Sequence, residues 1–132
     1  MTCHSIEESF SGYFDTHHGA CLGVLEPIWM DYASRVAPAP FARFARNVMG
    51  VSSADDAEAA AEGIVKYNKW LDRVQAPARF ADFGPAELFT DEGFETVASN
   101  CLRIYGGSIG RIAPITKAED VVSLLERGRS GR

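Results

Sequence analysis

His4 and His18 stand fourteen positions apart near the start of the chain, with Glu7, Glu8 and Asp15 between them. Neutral imidazoles of this kind bind Fe²⁺ or Zn²⁺ at ~2.0–2.2 Å. Imidazole and carboxylate donors suit either ion, so ligand type alone does not name the metal. Two side chains make half a site, because structural zinc takes four protein ligands and catalytic zinc takes three plus a water. From spacing alone, a pair of surface histidines is the simpler reading. His17 points away from its neighbour and reads as a solvent or interface residue. Cys3, beside His4, reads as a partly buried thiol.

The element that must position His4 is a helix. At about 100° per residue, Ile6, Phe10 and Tyr13 gather on one side, and His4, Glu8, Ser11 and Asp15 on the other. The apolar stripe packs inward. The polar stripe turns His4 and Glu8 outward, and Glu7 reads as a solvated carboxylate. Asp15 to His18 form a polar turn, and Gly19 opens a second helix carrying Leu22, Leu25, Ile28, Trp29 and Tyr32, with a kink or restart expected at Pro27. After Pro38 and Pro40 comes a short helix with Phe41, Phe44, Ala45 and Val48 on one face. Ser53 is the expected cap of a long helix, with Asp56 reaching back and a stripe of Ala57, Ala60, Ala61, Ile64, Tyr67, Leu71 and Val74. Residues 76–89 are a connection that Phe80 and Phe83 pin to the core.

Thr90 caps the next helix, stapled by Phe89 and Phe94, which buries Phe94, Val97, Ala98, Cys101, Leu102 and Tyr105 and stops at Gly106-Gly107. Thr116 to Glu119 reads as a capping box ahead of a last helix with Val121, Val122, Leu124 and Leu125. The expected fold is all-α, a compact bundle of about six helices in one domain over residues 1–126, followed by a basic flexible tail at 127–132. The glycine-rich run Gly106-Gly107-Ser108-Ile109-Gly110 follows a helix rather than a strand, so it reads as a helix end and not a phosphate loop.

Composition narrows the function classes. The 132 residues are 46% hydrophobic and 23% charged, with 13 basic and 18 acidic side chains and a net charge of −5. An acidic chain without a basic patch argues against nucleic acid as a partner. No apolar run approaches the ~18 residues of a membrane span. Three cysteines without zinc-like spacing fit a reducing, cytoplasmic setting, with Cys21 and Cys101 as small core residues.

The stretch from His4 to Pro27 resembles the start of the C-terminal domain of iron-containing (group III) alcohol dehydrogenases, in the butanol dehydrogenase branch. There, a metal-binding His opens one helix, and a second follows fourteen residues later in a His-Gly step ahead of an apolar run into Pro. His4, His18-Gly19 and Leu22 to Pro27 fill those places. The likeness continues through Phe41 to Gly50, Ala76-Pro77, Asp82-Phe83-Gly84 and Gly110 to Val122, and so covers nearly the whole chain.

The resemblance implies that His4 and His18 are inherited metal ligands for Fe²⁺ or Zn²⁺ in an incomplete site. It also implies that Glu8 stands where many relatives have a second His, thought to relay protons. In the family the remaining ligands and a NAD(P) site lie in a nucleotide-binding domain, which these residues do not provide. NAD(P) is therefore expected only if such a domain is supplied, as by a partner, and the chain is expected to be a truncated or stand-alone metal-binding domain, inactive by itself. The alternative is a non-enzymatic homo-oligomer that reuses the cleft face as an interface, possibly metal-bridged.

Overall fold

Prolines, glycines and side-chain caps divide the chain into six helices. In the computed structural model, which describes residues 2–132, these are α1 (Thr2–Phe14), α2 (His18–Val36), α3 (Pro38–Val48), α4 (Asp56–Arg73), α5 (Asp91–Ile104) and α6 (Ala118–Ser130). Two single 3₁₀ turns, Phe80–Asp82 and Ala86–Leu88, punctuate the long connection. The described residues hold no strand, only one antiparallel bridge between Ile109 and Ile115. The all-α fold expected from the periodicity is the fold observed.

α1 packs on α2 and α5, α5 on α6, and α3 on α4, with α2 touching both groups. The main core is aromatic. The Phe10 ring lies 4.5 Å from Phe80, 4.7 Å from Phe14, 5.7 Å from Phe89 and 6.4 Å from Phe94, centroid to centroid. These separations fall in the range where aromatic pairs attract beyond simple burial. A smaller core of Met30, Ala33, Phe41, Ala60 and Ile64 joins α2 to the α3–α4 pair.

α3 and α4 come unusually close, because Gly63 faces Ala45. A β-carbon built at Gly63 would lie 2.3 Å from the Ala45 Cβ and 2.9 Å from its Cα. Gly63→Ala raises helix propensity by about 1 kcal/mol. Forcing backbone-fixed atoms apart costs about 1–3 kcal/mol. The clash wins, so this variant is expected to lose on the order of 1 kcal/mol in urea unfolding; a stabilised variant would refute the close approach.

Several local expectations need correction. Tyr13 is exposed and Phe14 takes the buried place, one step around the helix. α2 is continuous through the buried Pro27. α4 is capped by Asp55, whose carboxylate accepts from the Glu58 N–H at 2.9 Å, rather than by Ser53. Its buried face is Ala59, Ala60, Gly63, Ile64 and Leu71, leaving Ala57, Ala61 and Val74 exposed. α6 begins after Lys117 with no side-chain cap, so the Thr116 to Glu119 box does not form. The tail expected from residue 127 is instead the end of α6, with Gly128 buried.

The side chain of Arg132 is only 3% exposed, ion-paired to Asp72 at 2.8 Å and bonded to the Ala76 carbonyl at 3.2 Å. Thr90 caps α5 as expected, accepting from the Gly93 N–H at 3.1 Å. At its other end Gly107 N–H reaches the Leu102 carbonyl at 2.7 Å and Gly106 N–H that of Arg103 at 3.4 Å, with φ of 90° and 73°. That paired closure at positive φ is the reason glycines stand there. Tyr105 is left outside it, exposed.

Candidate functional site

α1 exposes His4 and Glu8 while burying Cys3, Ile6, Phe10 and Phe14. The helix ends at Phe14 because Asp15 turns to φ 52°, a conformation that Asp tolerates better than most residues. Three residues can span at most ~10 Å. They run back along α1, with the Thr16 and Ser11 hydroxyls 3.2 Å apart. α2 therefore begins beside the middle of α1 rather than at its foot. From there the His18 side chain reaches Glu7 and towards His4, and the His4 and His18 rings lie 5.6 Å apart, tilted by 58°.

The carboxylate that organises this pair is Glu7, which the helical pattern assigns to solvent. Its side chain is 1% exposed. One oxygen is hydrogen-bonded to His18 Nδ1 and the other accepts from the Ser11 hydroxyl. With that hydrogen committed, Thr16 is the donor to Ser11. A buried carboxylate without partners is costly, so both oxygens being engaged is what permits the burial. The sequence offers only a partial signal for this, a Ser one turn after Glu7; the return of His18 onto α1 comes from the fold. The side chain of His18 remains 57% exposed.

Glu8 lies on the outward face of α1 and accepts a hydrogen bond from the Tyr105 hydroxyl. That bond, more than any burial, pushes the Tyr105 hydroxyl above its ordinary range. His17 is exposed at the N-cap of α2 without a side-chain capping bond. Cys3 is buried, and burial first, then the charges of Glu26 and Glu7, pushes its thiol up to about 12. Cys3 is thus a core thiol, not an outward ligand.

No group of three or more His, Cys, Asp or Glu side chains suited to a metal forms among the described residues. An ion held here would meet the two imidazoles and no third such donor among the described residues. The donor chemistry fits a metal in part: two adjacent imidazoles, one with its second nitrogen held by a carboxylate, as metal-binding histidines commonly are. A groove of about 760 Å³ lies elsewhere, between α3 and α4, lined by Phe44, Met49, Tyr67 and Trp70 among others and including neither histidine. No described helix is long and apolar enough to cross a membrane.

Known proteins share the sequence pattern and the fold of this chain. Residues 1–128 match the model of the Fe-containing alcohol dehydrogenase family, C-terminal. The chain is 30% identical over 128 residues to NADH-dependent butanol dehydrogenase A of Clostridium acetobutylicum, covering 96% of this chain and 32% of that protein. To butanol dehydrogenase B of the same organism it is 29% identical over 119 residues, covering 88% and 30%. The solved structure of NADH-dependent butanol dehydrogenase A from Thermotoga maritima superposes with a TM-score of 0.79 at 32% identity, over 97% of this chain and 32% of that one. A 1,3-propanediol oxidoreductase structure shares the fold at TM-score 0.78 and 19% identity, over 96% and 32%. The chain thus spans about a third of the length of the relatives it matches.

Proposed function

This chain belongs to the Fe-containing alcohol dehydrogenase family, as a C-terminal domain of it, and on that premise we propose that it forms the metal-bearing wall of a NAD(P)-dependent alcohol dehydrogenase cleft. His4 and His18 are two of the ligands to Fe²⁺ or Zn²⁺. The metal, when bound, supplies a Lewis acid that polarises the oxygen of an alcohol or aldehyde. Around it the chain's own residues hold and orient: His4 and His18 bind, and Glu7 grips His18. Glu8, one turn from His4 and bonded to Tyr105, can hold a proton at its carboxylate beside the cleft.

Hydride transfer also needs a nicotinamide site, which these 132 residues do not supply. A nucleotide-binding domain, in the same polypeptide or in a partner, provides it together with the remaining ligands. The names of the relatives favour NADH and a short alcohol such as butanol as cofactor and substrate.

The observation that carries this reading is the pairing of the His4 and His18 rings with Glu7 behind His18. Native mass spectrometry with added Zn²⁺ or Fe²⁺ tests it. The expected result is weak uptake of one ion per chain, lost in both His4→Ala and His18→Ala, and no NADH oxidation with butanal by these residues alone. Uptake that survives both substitutions would sink the ligand assignment. A chelator-sensitive oligomer with a whole number of metals would favour the bridged, non-enzymatic module instead.

A further inference from the structure

The geometry points to Glu7 as a positioning residue: it holds the His18 ring as the Nδ1–H tautomer, so that Nε2 presents its lone pair outward to the metal. The inference rests on the ligand reading above and adds to it the group that makes one ligand ready to bind. A carboxylate in the ionised form is an acceptor only. Glu7 accepts from Ser11 at one oxygen; with the carboxylate ionised, its other oxygen also accepts, and His18 Nδ1 is the donor in that contact. A neutral imidazole that donates from Nδ1 has its free pair on Nε2.

The ring is also fixed in direction. Glu7 is carried on the body of α1, whose neighbouring turns bury Cys3, Ile6 and Phe10. Its partners come from α1 and from the first residue of α2, so the grip ties the two helix starts together. A surface histidine without such a partner samples both tautomers and several rotamers. That ordering cost is met here before any ligand arrives. Thr16, donating to Ser11 at 3.2 Å, extends the chain of hydroxyls that keeps the carboxylate in place. Among the described residues the His4 ring contacts His18 but no carboxylate bonds it as Glu7 bonds His18, so the two ligands differ: His18 is held by a carboxylate in advance, and His4 is not.

The test is long-range ¹H–¹⁵N correlation spectroscopy of the ¹⁵N-histidine protein at about pH 8, before and after Zn²⁺. The expected spectrum has His18 with a protonated Nδ1 and a bare Nε2, and His17 as a tautomer mixture. Any other pattern at His18 overturns the inference. Glu7→Gln, whose amide oxygen still accepts, is expected to keep the Nδ1–H form, whereas Glu7→Leu releases His18 into a mixture and weakens Zn²⁺ binding about 10–100-fold.

If Glu7→Leu does not fold, Glu7→Gln set against Ser11→Ala replaces it, and loss of the Nδ1–H form in Glu7→Gln alone counts against the inference. The two readings fail separately. A correct tautomer with no Zn²⁺ shift at Nε2 overturns the metal reading, and with it the purpose of the grip. Zn²⁺ shifts at His4 and His18 with the wrong tautomer overturn only the role of Glu7.

Discussion

Phe10→Ala is expected to lower the unfolding free energy by about 3–5 kcal/mol. The ring is completely buried and sits among Phe14, Phe80, Phe89 and Phe94. Four rigid rings cannot collapse into the space as flexible aliphatic chains could, so most of the cavity stays open. Domains of this size are stable by only about 5–15 kcal/mol, and the variant loses a large part of that. Urea denaturation followed by the two tryptophans reads the loss directly. Tyr13→Ala, on the exposed side of the same helix, is the control, with a change within about 0.5 kcal/mol. A loss below about 1 kcal/mol at Phe10 would mean that the rings do not form one packed cluster.

The thiols give the second large effect. Cys3, Cys21 and Cys101 are all buried. Desolvation raises Cys101 from the ordinary 9.0 to about 11, against a lowering contribution from Ser9. Cys3 rises to about 12, and Cys21 is pushed up in the same way, by burial and then by Glu7. Only the thiolate reacts with a disulfide reagent. At about pH 8 the thiolate fraction of Cys101 is roughly a hundredfold below that of an unshifted thiol, and that of Cys3 roughly a thousandfold. Burial slows access further. Native protein is therefore expected to react with Ellman's reagent more than about a hundredfold more slowly than protein in denaturant.

The same shifts fix a pH dependence. A thiol raised in the fold stabilises it fully below the unfolded value of 9.0, and that stability is lost as pH climbs towards 11 and 12. The urea midpoint should fall from about pH 9 upward and not below it. Rapid labelling of all three thiols in the native state would contradict the packing around them.

Helix existence was legible because it depends on local spacing. The stripes of α1, α2 and α5 each repeat at helical period, and Thr90 and Gly106-Gly107 mark the bounds of α5 by chemistry that needs no tertiary partner. The misplacements share one cause. Tyr13 against Phe14, Val74 and Tyr105 lie at the edge of a stripe or the last turn of a helix, where one step of rotation decides between core and solvent. The cap of α4 was legible as a type but not as a position, since Asp55 takes the place of Ser53 two residues on, and at Thr116 no side-chain cap forms because α6 starts one residue later, with Lys117 at the cap position.

Glu7 is the instructive miss. A carboxylate next to another on a helix ordinarily faces water, and only the return of residues 15–17 along α1 encloses it. That return also brings His18 to His4, so the enclosing event and the pairing of the histidines are one. The family resemblance placed His4 and His18 as counterparts, whereas Glu7 required the fold.

α1 acts as a camshaft. Phe10 and Phe14 are seated in the aromatic core while His4 and Glu8 ride on the opposite side of the same rigid rod. The tip of a side chain on a helix of ~10–12 Å diameter travels about 2 Å for a rotation of about 20°. That exceeds the about 1 Å misplacement that can cost a reacting centre a hundredfold. On the proposed ligand role, repacking of the phenylalanines is then felt as a timing error at the histidines, and tolerance to change in the core is set by how much angular play the outward face can accept.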